Sequence, residues 1–469
     1  MPRYTQHPYL LIFSIVFIAH SLLFIYVARF DHAKFADFGF PVREGTDDYQ
    51  YRTLAINLAS HGVFSLHSTP PFRPDVFRTP GYPAFLAVIF GITGSFFAVA
   101  FVQTILAALT GIVVYELVRT FSVRRIVACA AALLFALEPT VMNSSMRLAT
   151  EILFTFLVTL SVFILFFRKE SGPTFKTCFL GGLVLGLAVL VRPIGLFLPL
   201  CIPVFLFFRY RHDSIPFKHI VFAILVFWIG TGSALIPWLA RNSISAGTWS
   251  ISSLPAYNLL FYNTAYFLAQ REHLPIATVQ ERLQREAGSH DTGVLTAPER
   301  IGKNFALAVA KLKDKKLSYL AFHLKKVPSF FLASGVSSIL NDMPRADRWL
   351  MSRGLVSDHA SSASGLFEAG RWRTVLAKSF RAPLLLLDRL FLAFTALCAA
   401  VFLYISLRQS KWRFHATLLA FLVLYFALTS IPVGGARFRV PAEPFLFSLA
   451  ILGFECLRRS HTPWNRKFQ

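Results

Sequence analysis

Two adjacent acids, Asp47 and Asp48, open a segment reading EGTDDYQYRTLAINLASHGVFSL, and RPDVFRTPGYPAFLAVIFG follows shortly after it. A carboxylate placed beside a bound hydroxyl can accept its proton in a displacement, the work of a general base. The same acids also suit a plainer task. Tyr51, Leu54, Ala55 and Leu58 share one helical face, and Thr46 or Asp47 fits the N-cap of that helix. Further along, ionisable residues flank apolar runs at Thr150-Glu151, Arg192, Arg241-Asn242, Arg437 and Arg439. Such groups at a bilayer edge are costly and usually pair or face a cavity. Gathered at one face, acids and arginines suit an anionic lipid phosphate together with an acceptor that must lose a proton. Taken singly, each arginine also fits a snorkelling anchor.

Those residues need a membrane to stand in. The chain has 469 residues, 55% of them hydrophobic, and Phe alone accounts for 50. Only 15% are charged, against about 25% in soluble domains. A bilayer core takes roughly 20 apolar residues per helix. By that measure ten spans are expected, near 9–29, 97–118, 126–142, 149–167, 177–191, 194–208, 219–240, 384–407, 414–431 and 440–457. The stretch 82–93 is too short to cross and contains Pro83 and Gly91; it fits an interfacial or re-entrant helix. The predicted fold is an all-α polytopic membrane protein with two large periplasmic loops. The first span reads as a signal anchor, since it lacks a small-residue cleavage site. The five cysteines lie in or beside apolar spans without paired spacing and read as small hydrophobes.

The net charge of +23 comes in short clusters between spans, which argues for cytoplasmic loops and against nucleic acid. With the N-terminus inside, the inner connections carry Arg3, Arg119, Arg124, Arg125, Arg168, Lys169, Lys176, Arg209, Arg211, Lys218, Arg408, Lys411, Arg413, Arg458, Arg459, Arg466 and Lys467. The short outer connections hold only Arg147, Arg192, Arg437 and Arg439. Both termini are therefore expected in the cytoplasm of a bacterium, with the chain in its inner membrane. The chain divides into an N-terminal catalytic membrane module over 1–240, a periplasmic region over 241–383, and C-terminal spans and tail over 384–469. The middle region is expected to hold an amphipathic helix near 276–287. A basic-apolar helix near 303–333 suits either anionic headgroups or packing on the bundle. Residues 353–370, rich in Ser, Ala and Gly, read as a flexible connector.

The order of motifs carries a resemblance. An outer-loop acid precedes Tyr-x-x-Leu-Ala, then come Arg-Thr-Pro-Gly-Tyr-Pro, Thr-Glu opening a span, LVRPIGLFLP, IPWLARNSISAGTWSISSLPAYNLLFYN and ARFRVPAEP. The sequence resembles the GT-C glycosyltransferases of the protein-mannosyltransferase and lipid A aminoarabinose-transferase superfamily. The resemblance implies an active site facing the periplasm and a polyprenyl-phosphate-linked hexose or pentose as donor. It implies Asp47, with Asp48 adjacent, and Glu151 as catalytic acids. Arg78 takes the place of a basic residue near the donor phosphate. Arg437 and Arg439 are further candidates there, Arg192 either assists or holds Glu151 or a helix junction, and Tyr51, Tyr82, Arg241, Asn242 and Asn258 are expected in the substrate pocket. Some members of the family hold a divalent metal near the acids; no compact ligand cluster is visible here, and metal dependence stays open. The acceptor, whether lipid, glycan or protein, is not legible. The expected chemistry is one inverting displacement with an aspartate base; the competing expectation is a multi-span flippase or transporter of lipids or lipid-linked sugars.

Overall fold

The computed structural model describes residues 7–30, 46–121, 123–168, 174–291, 293, 296–342, 381–432 and 434–460, and every regular element among them is helical. The expected connector 353–370 lies outside the described residues, as do Arg3, Lys169, Arg466 and Lys467.

Each of the ten expected apolar segments carries helix, but not all in one piece. Seven helices are long and apolar enough to cross a bilayer alone, and an eighth candidate is a pair, Arg125–Ala136 and Pro139–Ser145, bent by 57°. The bend falls at Glu138-Pro139, where a proline in the first helical position starts a new helix and cannot continue the old one. Buried His20 from the first helix bridges this break, within 2.7 Å of the Ala136 carbonyl and 2.8 Å of Ser145 Oγ. The helices Glu151–Phe166 and Phe175–Val191, of 16 and 17 residues, are shorter than a full crossing.

Four helices position the site, and we number them in chain order. The helix α1 (Asp47–His61) starts at Thr46, whose hydroxyl accepts from Tyr49 N, and stops at Gly62 in the left-handed region. Its apolar stripe buries Tyr51, Leu54 and Ala55, as the sequence periodicity requires. The helix α2 (Gly81–Thr93) is the short apolar segment. Its first residue sits against the end of α3 (Phe175–Val191), where a Cβ on Gly81 would lie 2.8 Å from the backbone of Leu190 and Val191. Only glycine permits that approach. Thr79 Oγ1 donates to the Val191 carbonyl at 3.1 Å, so the Arg-Thr-Pro-Gly turn is pinned beside Arg192. In turn α3 packs along α4 (Phe217–Ala246) through small residues; a Cβ on Gly182 would come 2.1 Å from the Phe227 carbonyl.

The stretch of chain that follows α4 forms a second, smaller core of its own, built on Leu260, Phe261, Phe267, Leu283 and Phe322. The expected amphipathic helix appears at Ile276–Glu286. The single basic helix expected near 303–333 is divided into α5 (Ile301–Leu312) and α6 (Lys316–Leu332) by a tight turn at Lys313–Lys315. Four lysines and an aspartate crowd residues 311–316, and their repulsion gives little reason to prolong one helix.

Gly182→Val forces the α3–α4 seam apart, and overpacking of this kind costs about 1–3 kcal/mol. A clear fall in thermal midpoint in detergent is expected; an unchanged midpoint would contradict the close seam.

Candidate active site

Asp47 occupies the first turn of α1 and divides its two oxygens between arginines from distant parts of the chain. Arg78 Nη2 lies 2.5 Å from Oδ1, and Arg437 Nη2 lies 2.8 Å from Oδ2. Arg78 is fixed on all sides. Its Nε donates to Gln50 Oε1 at 2.7 Å, its Nη1 reaches the Tyr51 hydroxyl at 3.4 Å, and its guanidinium covers the Tyr51 and Phe77 rings at 5.0 and 4.9 Å. Arg437 also faces buried Glu151 at 3.5 Å, and Arg192 approaches the same Glu151 oxygen at 2.9 Å. The ring of Phe438 lies under both Arg437 and Arg192. Asp47 and Arg437 are the open members, with side chains 36% and 46% exposed, whereas Glu151 is enclosed. Three guanidinium groups face two carboxylates, which leaves one surplus positive charge at the mouth.

The neighbouring acid is set differently. Asp48 pairs with a different arginine, Arg147, whose Nη2 is 3.4 Å distant. Burial pushes its carboxyl above the usual range, with Arg147 opposing and the Asp47 charge adding to the rise. Burial pushes Asp47 up as well, but Arg78 and Arg437 outweigh it and hold the group well below the ordinary carboxylate range. Two adjacent aspartates therefore have opposed acidities: Asp47 a firm anion at rest, Asp48 the stronger base.

The structure brings together Asp47, Asp48, Arg78, Glu151, Arg192, Arg437 and Tyr51. Tyr82 stands behind, edge-on to Tyr51 at 5.1 Å and fully buried, with its hydroxyl donating to Gln103 at 2.9 Å. Arg241 and Asn242 serve the scaffold. Arg241 donates to the carbonyls of Asp75 and Phe64 at 2.7 and 3.2 Å, and Asn242 holds the Ser250 carbonyl at 2.8 Å. They brace the strip before Arg78, which Ser252 and Ser253 grip through the Phe77 and Val76 backbone. Asn258 ends the short helix Leu254–Asn258.

Arg439, expected at the donor phosphate, stands apart from the cluster and is fully buried. It donates to Glu138 and Glu443, each at 3.0 Å, and to the carbonyls of Phe330, Phe331 and Ala333 at 3.4, 3.3 and 2.6 Å. This clasp fastens the end of α6 to the broken helix pair and to the last span. Sequence reasoning missed Gln50, three residues after Asp47, and the role of Glu138, whose signal was a Glu-Pro pair inside an apolar run. It counted Arg147 only as an outer-loop charge.

Among the described residues no group of three or more His, Cys, Asp and Glu side chains is placed to hold a metal ion. Asp47 and Glu151 each face two guanidiniums, so this donor set as folded offers no surplus negative charge to a divalent cation.

Arg439→Gln removes the cation that both glutamates share. Breaking a buried pair from one side costs about 3–5 kcal/mol, so folded protein should largely be lost on size-exclusion chromatography. Arg437→Gln, at the open mouth, should leave folding intact. Equal recovery of the two variants would contradict the division between clasp and site.

Residues 77–237 match the family of dolichyl-phosphate-mannose-protein mannosyltransferases, a stretch that includes Arg78, Arg147, Glu151 and Arg192. The oligosaccharyltransferase of Archaeoglobus fulgidus, tethered with an acceptor peptide containing the NVT sequon, has a similar structure. The TM-score is 0.51 at 15% identity, over 97% of this chain and 50% of that one. The archaeal oligosaccharyltransferase AglB from Archaeoglobus fulgidus, in complex with an inhibitory peptide and a dolichol-phosphate, gives 0.50 at 15% identity over 98% and 51%. ArnT from Cupriavidus metallidurans in the apo state aligns at 0.33 and 12% identity over 94% and 77%. The chain spans about half the length of the two oligosaccharyltransferase chains it matches. No curated protein matches it in sequence. The protein is thus all-helical among its described residues, with seven helices long and apolar enough to cross a membrane, a fold similar to that of the oligosaccharyltransferase, and residues 77–237 that match the dolichyl-phosphate-mannose-protein mannosyltransferase family.

Proposed function

We propose that the protein transfers a sugar from a polyprenyl-phosphate carrier to an acceptor hydroxyl at the periplasmic face of the inner membrane. The observation that carries this reading is Asp47, a carboxylate suspended between two arginines at an open mouth with one surplus positive charge. A glycosyl phosphodiester brings one negative charge to that mouth, and the departing polyprenyl phosphate carries a second. The matched mannosyltransferase family and the fold shared with a dolichol-phosphate-bound oligosaccharyltransferase support the choice of donor class.

The proposed reaction is a single displacement. The acceptor oxygen attacks the anomeric carbon from the side opposite the phosphate. The bond from that carbon to the phosphate oxygen breaks, and its electron pair leaves on the phosphate. The acceptor proton passes to a carboxylate. Arg437 and Arg78 stabilise the charge that grows on the leaving group, which is where fixed cations contribute most. As Arg437 turns from Asp47 toward the phosphate, Asp47 loses a cation and gains basicity. Donor binding would thereby activate the base. Arg192 holds Glu151, and Glu151 in turn positions Arg437.

Asp47→Asn is expected to stay folded in the membrane and to lose transfer from polyprenyl-phosphate sugar by about 10²–10⁴-fold. Full transfer by that variant would move the base role to Asp48. The pH profile gives an independent check. The kcat/KM profile reports ionisations of the free enzyme. With both arginines present, Asp47 stays ionised far into the acid range, and the acid limb of the profile lies low. Arg437→Gln removes one of the opposing cations, so burial raises the Asp47 carboxyl and the acid limb moves to higher pH. A limb that does not move would separate Asp47 from the rate.

A further inference from the structure

The helices α5 and α6 bury one face against the small core, Phe322 packing on Phe267 at 5.6 Å. Their other face is bare. Phe305 and Val309 on α5 are 53% and 44% exposed, and Leu317, Leu320 and Leu324 on α6 are 83%, 55% and 54% exposed. The intervals of three and four residues put each set on one helical stripe. Exposed lysines border it: Lys303 and Lys313 on and after α5, Lys316 and Lys325 on α6. Residues 301–332 carry seven lysines against one aspartate, Asp314. A contiguous apolar stripe of this kind on an extramembrane segment needs a cover, and the lysine border asks that the cover be anionic.

The position of α6 says which cover. Its C-terminal end is clasped by Arg439 through the Phe330, Phe331 and Ala333 carbonyls, at the same end of the bundle as the site. Its neighbour there is the end of the span Ser410–Ser430, since Gly434, just beyond that span, lies against Ser329. The adjoining span Arg381–Leu407 begins with its own exposed Leu386, Leu387 and Leu390, a face that only lipid suits. The bare stripe therefore stands where hydrocarbon gives way to headgroups.

We propose that α5 and α6 lie on the bilayer as an amphipathic platform, with Phe305, Val309, Leu317, Leu320 and Leu324 among the acyl chains and the lysines on anionic headgroups. Lysine stems reach from a buried helix face to the phosphate level, and helices of this charge pattern bind best to anionic surfaces. The platform is independent of the proposed sugar transfer, because it rests on exposure and charge outside the site.

The test uses full-length Leu320→Trp protein in bilayers of phosphatidylethanolamine and phosphatidylglycerol, with wild type subtracted to isolate the added fluorescence. Phosphatidylglycerol brominated high on its acyl chains should quench that increment by at least about twofold, as for a side chain seated at the acyl boundary, while acrylamide in the water should quench it little. Brominated phosphatidylcholine in a bilayer without anionic lipid should quench it less, and replacing Lys313, Lys316 and Lys325 by Glu should abolish the difference. Strong acrylamide quenching with no bromolipid effect would overturn the proposal, because the stripe is then wet. Insensitivity to both quenchers would overturn it too, because the stripe is then covered by protein. Leu324→Trp, on the same stripe, provides a second reporter if Leu320→Trp does not fold.

Discussion

One carboxylate holds three distant pieces of chain together. Asp47 begins a loop helix, Arg78 lies in a turn 31 residues later, and Arg437 comes 390 residues on. A charge withdrawn from water needs opposite charge and hydrogen bonds close by, so the three must meet if the protein is to bury any of them. The surrounding architecture serves that meeting. Gly81 lets the turn after Arg78 settle on the end of α3, Thr79 fastens it there, and the next residue of that helix end is Arg192. Arg241, Asn242 and the serines at 252 and 253 stiffen the strip that leads into Arg78. The result at rest is a preorganised set of charges around the open Arg437, and preorganised cations stabilise a developing anion.

Two arginines separated by a single residue illustrate how finely the chain divides its charges. Arg437 faces the open mouth with Asp47 and Glu151, while Arg439 is sealed among Glu138, Glu443 and three carbonyls. Both sit on the short helix Ala436–Arg439 that opens the last span. The sealed residue anchors the end of α6 and the broken helix pair, so the geometry of the open residue inherits that anchorage. The extramembrane helices and the site are thus joined through one turn of backbone.

Much of this was legible in the sequence. Apolar length located the ten apolar segments, all of which carry helix, and the periodicity of Tyr51, Leu54 and Ala55 placed α1 with its cap at Thr46 or Asp47, of which Thr46 holds the place. The order of motifs around Arg78 and Glu151 pointed to the family that residues 77–237 match. What stayed hidden depends on three-dimensional partnership. The letters of Arg437 and Arg439 look alike, and only the positions of Glu138 and the α6 carbonyls tell them apart. Adjacent Asp47 and Asp48 are equivalent on paper; two arginines face one and a single arginine the other, and that difference sets their acidities. The break at Lys313–Lys315 was likewise obscured, because its apolar spacing continues on both sides. Glu151–Phe166 and Phe175–Val191, of 16 and 17 residues, stand at the short end of what spans a bilayer.

The central claim, transfer of a sugar from a lipid phosphate, is tested most directly in cells lacking the protein. Mass spectrometry of their membrane lipids and envelope glycans should show an accumulated polyprenyl-phosphate sugar and a glycan, lipid or protein missing that one sugar. Unchanged glycans, with lipid-linked sugar redistributed between the two leaflets, would contradict the claim and make the protein a flippase.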